Sequence, residues 1–291
     1  MKVSGFSFIK NAIIYDYPIV EAIKSILPIC DEFIVAVGKS DDETLTMIQN
    51  IDKNKIRIIE TVWDESLRQG GQVLAVETDK ALKAISNDSD WAFYIQGDEI
   101  VHETYLQTIR ENMIKYKDDS SVDGLLFNYL HFYGSYDYVG ASSNWYRHEI
   151  RIIKNNRNIY SYRDAQGFRK DNNQKLHVIS IDAWMYHYGW IKDPKAMQRK
   201  QISFNRLYHD DLWVDQNIVK SEEFDYGKHV TLLKPFNGTH PEVMKDRIAR
   251  TNWKFDFDIT RNTMSLKDKT KDFLRKYLGI DLGYKNYIKI N

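Results

Sequence analysis

A chain of 291 residues is long enough for one large domain or two small ones. Its 41 Lys and Arg balance 41 Asp and Glu, and zero net charge excludes a protein that holds nucleic acid or an anionic membrane by bulk electrostatics. With 43% hydrophobic and 28% charged residues the chain can bury a core, while the single Cys30 excludes internal disulfides and cysteine-built zinc sites and fits a reducing compartment.

The first half alternates short apolar runs with helical patterns. Val3 to Ile9 reads as a strand, after which Asp16 is placed to cap a helix carrying Pro18 in its first turn and Ile19, Ala22, Ile23, Ile26 and Leu27 on one face. Pro28 stops that helix, and Phe33 to Val37 is a second strand. Ser40 and Glu43 have capping-box spacing ahead of a helix with Leu45 and Ile48 inside. Lys55 to Val62 reads as a third strand, Leu74 to Ile85 as a helix and Trp91 to Gln96 as a fourth strand. Strands that are short, nearly all apolar and separated by helices predict an α/β fold, with a mostly parallel sheet flanked by helices.

Beyond about residue 115 the texture changes. His102 to Met113 closes the first half as a helix. Gly124 to Tyr133, Glu149 to Lys154 and Leu176 to Tyr188 read as strands, and Lys195 to His209 has helical periodicity. Glu242 to Asn252 and Leu266 to Leu278 read as charged surface helices, so a helical extension over 241–291 is expected beyond a main domain over 1–240. No run approaches the roughly 20 apolar residues of a membrane span, and Met1 to Asn11 has no secretory apolar region. A cytoplasmic location is the expectation, and without an export signal the sequons at Asn87 and Asn237 read as chance. Aromatics reach 13% and crowd between Phe127 and Trp190, which suits sheet packing or a site for a flat, ring-shaped ligand such as a sugar or nucleobase.

In open α/β sheets ligands bind beyond the carboxyl ends of the strands. The candidates are Lys10 and Asn11 after strand one, the 38–42 loop with Ser40 and Asp42 after strand two, Arg68 before the third helix, and Gln96-Gly97-Asp98-Glu99 after strand four. Two adjacent carboxylates at a strand tip are either solvated and helix-capping, or one of them holds a cation.

These segments carry a resemblance. The Ser40-Asp41-Asp42-Glu43-Thr44 loop is similar to the Ser-Thr-Asp-Gly-Thr segment of family 2 glycosyltransferases, and Gln96-Gly97-Asp98-Glu99 is similar to that family's Asp-Ala-Asp-Glu segment. The resemblance covers about residues 1 to 190. It implies a GT-A fold, with a nucleotide-sugar half and an acceptor half, and inverting transfer of a sugar from a nucleotide-diphosphate donor to an acceptor hydroxyl. Mn²⁺ or Mg²⁺ on the diphosphate is also implied. Gln96 stands where the family carries its first acid, and Val37 stands where it often has an acid near the nucleoside.

On this resemblance Lys10, Asn11, Ser40, Asp42, Arg68, Gln96 and Asp98 are expected at the donor. Asp98 and His187 are expected at the metal, and Asp164 as general base. Glu99, Arg147, Arg151, Gln166 and Trp190 are candidates for phosphate or acceptor contact. Arg147 and Arg151 share a strand face only if the register holds. The implied partners are a nucleotide sugar and a glycan or lipid-linked acceptor in surface-polysaccharide or glycan synthesis. No nucleic acid and no transmembrane segment are expected, and the scheme leaves room for peripheral membrane association. The rival readings are a GT-A-fold carbohydrate or nucleotide binder with impaired catalysis and a nucleotidyltransferase. The latter is weakened by a first loop, Lys10 to Ile14, that lacks glycine. A metal-dependent hydrolase is weaker still, because no His-Glu-x-x-His is present.

Overall fold

Alternating apolar side chains along the early strands feed two separate cores. Phe33, Val35 and Val37 point to one face of the sheet, and Ile34 and Ala36 to the other. The computed structural model describes residues 1–67, 69–218, 221–228, 230, 232–279 and 282–290. Its strands are β1 (Val3–Ile9), β2 (Glu32–Gly38), β3 (Ile56–Thr61), β4 (Trp91–Tyr94), β5 (Glu99–Val101), β6 (Gly124–Tyr133) and β7 (Ser135–Gly140). They continue with β8 (His148–Lys154), β9 (Ile159–Tyr162), β10 (Gly167–Lys170), β11 (Gln174–Trp190), β12 (Leu233–Pro235) and β13 (Tyr287–Lys289). The helices are α1 (Ile19–Ile26), α2 (Thr44–Gln49), α3 (Gln72–Lys83), α4 (Leu106–Lys115), α5 (Pro194–Asn205), α6 (Asp211–Asn217), α7 (Lys245–Ala249) and α8 (Leu266–Leu278).

The sheet runs β3-β2-β1-β4-β8-β6-β11-β10-β9. The first four strands are parallel to one another, β6 and β11 are parallel to each other, and β8 is inserted antiparallel between β4 and β6. Helices α1, α2 and α4 cover one face through Ile23, Ile48 and Met113, while α3 covers the other through Leu74, Ala81 and Leu82. This is the expected α/β arrangement with helices on both sides. The departures from expectation are local. Asp16 does not cap α1: its backbone takes φ +49, Pro18 sits at the cap, and the Asp16 carboxylate pairs with Arg247 instead. Ser40 and Glu43 form no capping box, because Asp42 accepts the Thr44 amide and Ser40 donates to the Gly38 carbonyl. The 195–209 helix stops at Asn205, and Glu242 to Asn252 resolves into a short 3₁₀ turn followed by α7.

The segment beyond 240 lies against the rest of the chain. Met244 is fully buried among Phe132, Tyr186 and Tyr188, and β13 pairs in parallel with β11. Arg247 reaches both Asp16 and Glu21, the latter at 3.2 Å, and the Trp253 indole donates to the Gly134 carbonyl at 3.0 Å. Among the described residues no helix is long and apolar enough to cross a membrane.

Candidate functional site

The chain leaves a cavity of about 1030 Å³ where β1 and β4 end and where β11 reaches its last residues. Of the residues expected at a site, Lys10, Asn11, Gln96, Asp98, Arg151, Asp164, Gln166, His187 and Trp190 line it. Asp98 is placed by irregular strand pairing. β11 slips against β6 between His187 and Trp190, and at this bulge the Tyr188 amide donates to the Asp98 carbonyl at 2.8 Å. Gly189 completes the fit, since a Cβ there would lie 2.7 Å from Asp98 Oδ2 and from the His187 ring. Any larger residue would separate the two side chains.

The Asp98 carboxylate is held between two groups. Lys200 Nζ, on α5, donates to Oδ2 at 3.2 Å, and His187 Nε2 stands 3.7 Å from Oδ1. Burial works against the charge of Asp98, and the surrounding basic groups, Lys200 foremost, together outweigh it, keeping the carboxyl well below its ordinary range. A second ammonium, Lys192, lies fully buried beneath, donating to the Asp16 carbonyl at 2.6 Å and standing over the Tyr17 ring. Burial and the charge of Lys200 press its pKa far down.

The proton on His187 follows from its neighbours. His131 Nε2 lies 2.7 Å from the Tyr146 carbonyl, which can only accept, so that nitrogen carries hydrogen. Burial lowers the pKa of both imidazoles and favours their neutral forms. His131 Nδ1 is then a bare lone pair and accepts from His187 Nδ1, 3.2 Å away. This leaves the lone pair of His187 on Nε2, facing the Asp98 carboxylate with no proton between them. Two electron-pair donors held opposite one another suit a cation, and a carboxylate with an imidazole is a donor set that Mn²⁺ accepts. Among the described residues no group of three or more His, Cys, Asp or Glu is gathered to hold a metal ion, and Asp98 and His187 stand as a pair.

Asp164 sits in the β9–β10 turn between Arg163 and Ala165, both at positive φ, and its Oδ2 accepts from the Tyr208 hydroxyl at 2.8 Å. Gln96 ties this turn to the tip of β4 by donating to the Ala165 carbonyl at 3.2 Å. Asn11 is locked to the neighbouring loop: its side chain exchanges two hydrogen bonds with Asp41, its amide donates to Ser40, and Asp41 itself lines the cavity.

Other expected residues lie elsewhere. Ser40 and Asp42 are not in the cavity wall, because both are engaged in holding backbone. Asp42 accepts the amides of Ile13 and Ile14 at 3.0 and 2.9 Å. Glu99 turns away from the crevice into β5, where it is fully buried, paired with Arg151 at 2.8 Å through two nitrogens and hydrogen-bonded by Tyr129. Arg151 therefore meets the cavity already neutralised. Its shared face with Arg147 is lost for two reasons. Arg147 precedes β8 and is exposed, and β8 bulges at Arg151, where Ile150 and Ile152 pair with consecutive residues of β6. Arg68 lies outside the described residues.

Sequence reasoning missed Lys200, Tyr208 and Trp63, all in the cavity wall. Lys200 is one of three cations in Lys195 to Lys200, and nothing in that run singles it out.

No family model matches the chain, and no curated protein matches it. Several solved structures resemble the chain at low similarity. TarS from S. aureus is 16% identical with a TM-score of 0.41, over 70% of this chain and 39% of that one. Its 1–349 fragment, solved with UDP, is 13% identical with a TM-score of 0.41, over 76% of this chain and 68% of that one. Glucosyl-3-phosphoglycerate synthase from Mycobacterium tuberculosis, in complex with Mn²⁺, UDP and glucosyl-3-phosphoglycerate, is 19% identical with a TM-score of 0.30, over 46% of this chain and 45% of that one. The chain thus spans 39% of the TarS chain it matches. Likeness at this level carries no argument about the chain.

Proposed function

We propose that the chain is a glycosyltransferase that takes a nucleotide-diphosphate sugar as donor. The observation that carries this reading is the facing of Asp98 and His187 Nε2 across 3.7 Å, with Lys200 beside them, in the wall of a cavity large enough for a nucleotide sugar. The order of the loop motifs along the chain supports it, as does their resemblance to family 2 glycosyltransferases.

In this scheme the donor diphosphate lies over the tip of β4. A divalent cation, Mn²⁺ or Mg²⁺, would be held by Asp98 and His187 and would supply Lewis-acid neutralisation of the diphosphate. Lys200, shared between Asp98 and the Gly189 carbonyl at 2.9 Å, adds a cation that follows the charge developing on the departing diphosphate. Lys10 and Asn11 border the same wall. Asp164 is assigned as the base that takes the proton of the attacking acceptor hydroxyl, with Tyr208 fixing the carboxylate through its hydrogen bond. Displacement from the face opposite the diphosphate inverts the anomeric centre. An acceptor in surface-polysaccharide or glycan synthesis fits the scheme.

The test is release of nucleoside diphosphate from a panel of UDP-, GDP- and dTDP-sugars with Mn²⁺, beside calorimetric binding of the free diphosphates. Turnover of at least one donor is expected, reduced on the order of 10²-fold or more in Asp98→Asn. A protein that binds none of the diphosphates in the presence of Mn²⁺ overturns the assignment.

A further inference from the structure

A surface helix ordinarily turns its apolar stripe toward the core. In α8 the orientation is reversed. Its half-buried inner side sets Asp268, Lys271, Asp272 and Arg275 against the body with Leu274 as its apolar member, Asp272 and Arg275 paired to one another and Asp268 bonded to the capping Ser265. Its outer side carries Leu266, Phe273 and Tyr277 at i, i+7 and i+11, which are 83%, 56% and 64% exposed. The Phe273 and Tyr277 rings lie 5.0 Å apart, Leu278 closes the helix exposed, and Leu282 is exposed beyond it. Lys267, Lys269 and Lys276 rim this ridge and are exposed, whereas both acids of the helix are half-buried on the inner side. Over 265–279 the chain has five cations and two acids. The zero net charge of the whole therefore conceals a local positive edge beside an apolar one.

We infer that α8 is a membrane-surface helix, docking Leu266, Phe273 and Tyr277 into the headgroup boundary of an anionic bilayer while Lys267, Lys269 and Lys276 meet its negative headgroups. Apolar and cationic side chains on the same outward surface are what an interfacial helix requires. A second copy of the chain is the poorer occupant. An isologous pairing would set the lysine rims of two α8 helices against each other, and the acids that could relieve them face inward. Each lysine near an anionic surface strengthens binding about fivefold, so the three together contribute on the order of a hundredfold. The inference rests on α8 alone and is independent of the reading of the cavity.

The experiment is sedimentation of the full chain with vesicles of phosphatidylcholine alone and of phosphatidylcholine mixed equally with phosphatidylglycerol. The wild type is expected to pellet with the mixed vesicles and to stay largely in solution with phosphatidylcholine. Leu266→Ser/Phe273→Ser/Tyr277→Ser should weaken pelleting about tenfold or more, and Lys267→Glu/Lys269→Glu/Lys276→Glu should abolish the preference for the anionic lipid. Both triple variants change exposed side chains, and their unchanged far-ultraviolet dichroism and melting temperature establish that the fold is intact. Wild type that binds neither vesicle, or binds both equally, overturns the inference. Light scattering that shows a dimer broken by the serine variant also overturns it, and assigns the ridge to a second copy.

Discussion

Glu149 offers a sharp test of the buried polar layer behind the cavity. It lies on β8 with its carboxylate almost wholly inside, and its Oε2 has no hydrogen-bond partner. Gly167 passes so close that a Cβ there would sit 3.1 Å from that oxygen. Burial pushes the Glu149 carboxyl up to about 8, against the pull of Arg151 and with a push from Glu99. The sign follows directly. Above its ordinary 4.5 the unfolded chain releases this proton while the folded chain keeps it until about 8, so the folded state binds more protons and stability falls as pH rises across that window. The loss is about 1.4 kcal/mol per pH unit, or about 4–5 kcal/mol in all, a large share of the roughly 5–15 kcal/mol that domains have. Glu149→Gln has the same shape and cannot ionise. Urea unfolding followed by tryptophan fluorescence should show nearly equal stabilities for the two proteins at about pH 5. At about pH 8 the variant should be the more stable by several kcal/mol. Parallel stability curves across that range would refute the reasoning, because they would mean that Glu149 ionises alike in both states.

Two further substitutions probe neighbouring groups. His131→Phe removes the acceptor that holds the proton on His187 Nδ1. Long-range ¹⁵N–¹H NMR of the metal-free protein should then show His187 protonated at Nε2, and Mn²⁺ affinity, read from the electron paramagnetic resonance of the free ion, should fall about tenfold or more. An unchanged tautomer defeats that chain of inference. Glu99→Gln leaves the fully buried Arg151 guanidinium without its counter-charge and should cost about 3–5 kcal/mol, a drop of roughly 10 °C in Tm by calorimetry. Adding Arg151→Met should recover much of the loss. A single variant that melts with the wild type would show the pair to be energetically idle.

The early strands were legible in the sequence because each is a short run dominated by apolar residues, as a doubly covered parallel sheet demands. Val3 to Ile9 and Gly124 to Tyr133 coincide with β1 and β6 to the residue. Short β5, β9, β10, β12 and β13, of three or four residues each, carry too few residues for a period to show. The tip of β4 was legible as a polar punctuation after a buried strand, but the separate fates of Asp98 and Glu99 were not. Asp98 stays in the turn ahead of β5 and faces the cavity, while Glu99 opens β5 and turns inward to Arg151 of β8, a partner that the local sequence does not show. The same holds for Ser40 and Asp42. Their residue types suit a ligand or a turn equally well, and the choice is made by the amides of Asn11, Ile13 and Ile14, which belong to another loop. Lys200 and His131 were hidden for a related reason. Each matters through one contact across more than fifty residues of chain, which no local pattern encodes.

The bonds from Arg247 to Asp16 and Glu21 have a consequence for how the molecule can be divided. Asp16 ends the stretch that begins with Lys10 and Asn11, so a side chain near the far end of the polypeptide buckles down the lip of the cavity. A protein shortened after residue 240 would lose that buckle together with the Met244 plug. The lip would then be free to swing, although every residue in the cavity wall would still be present. Whatever enters there is gripped by a mouth whose shape is set from the opposite terminus.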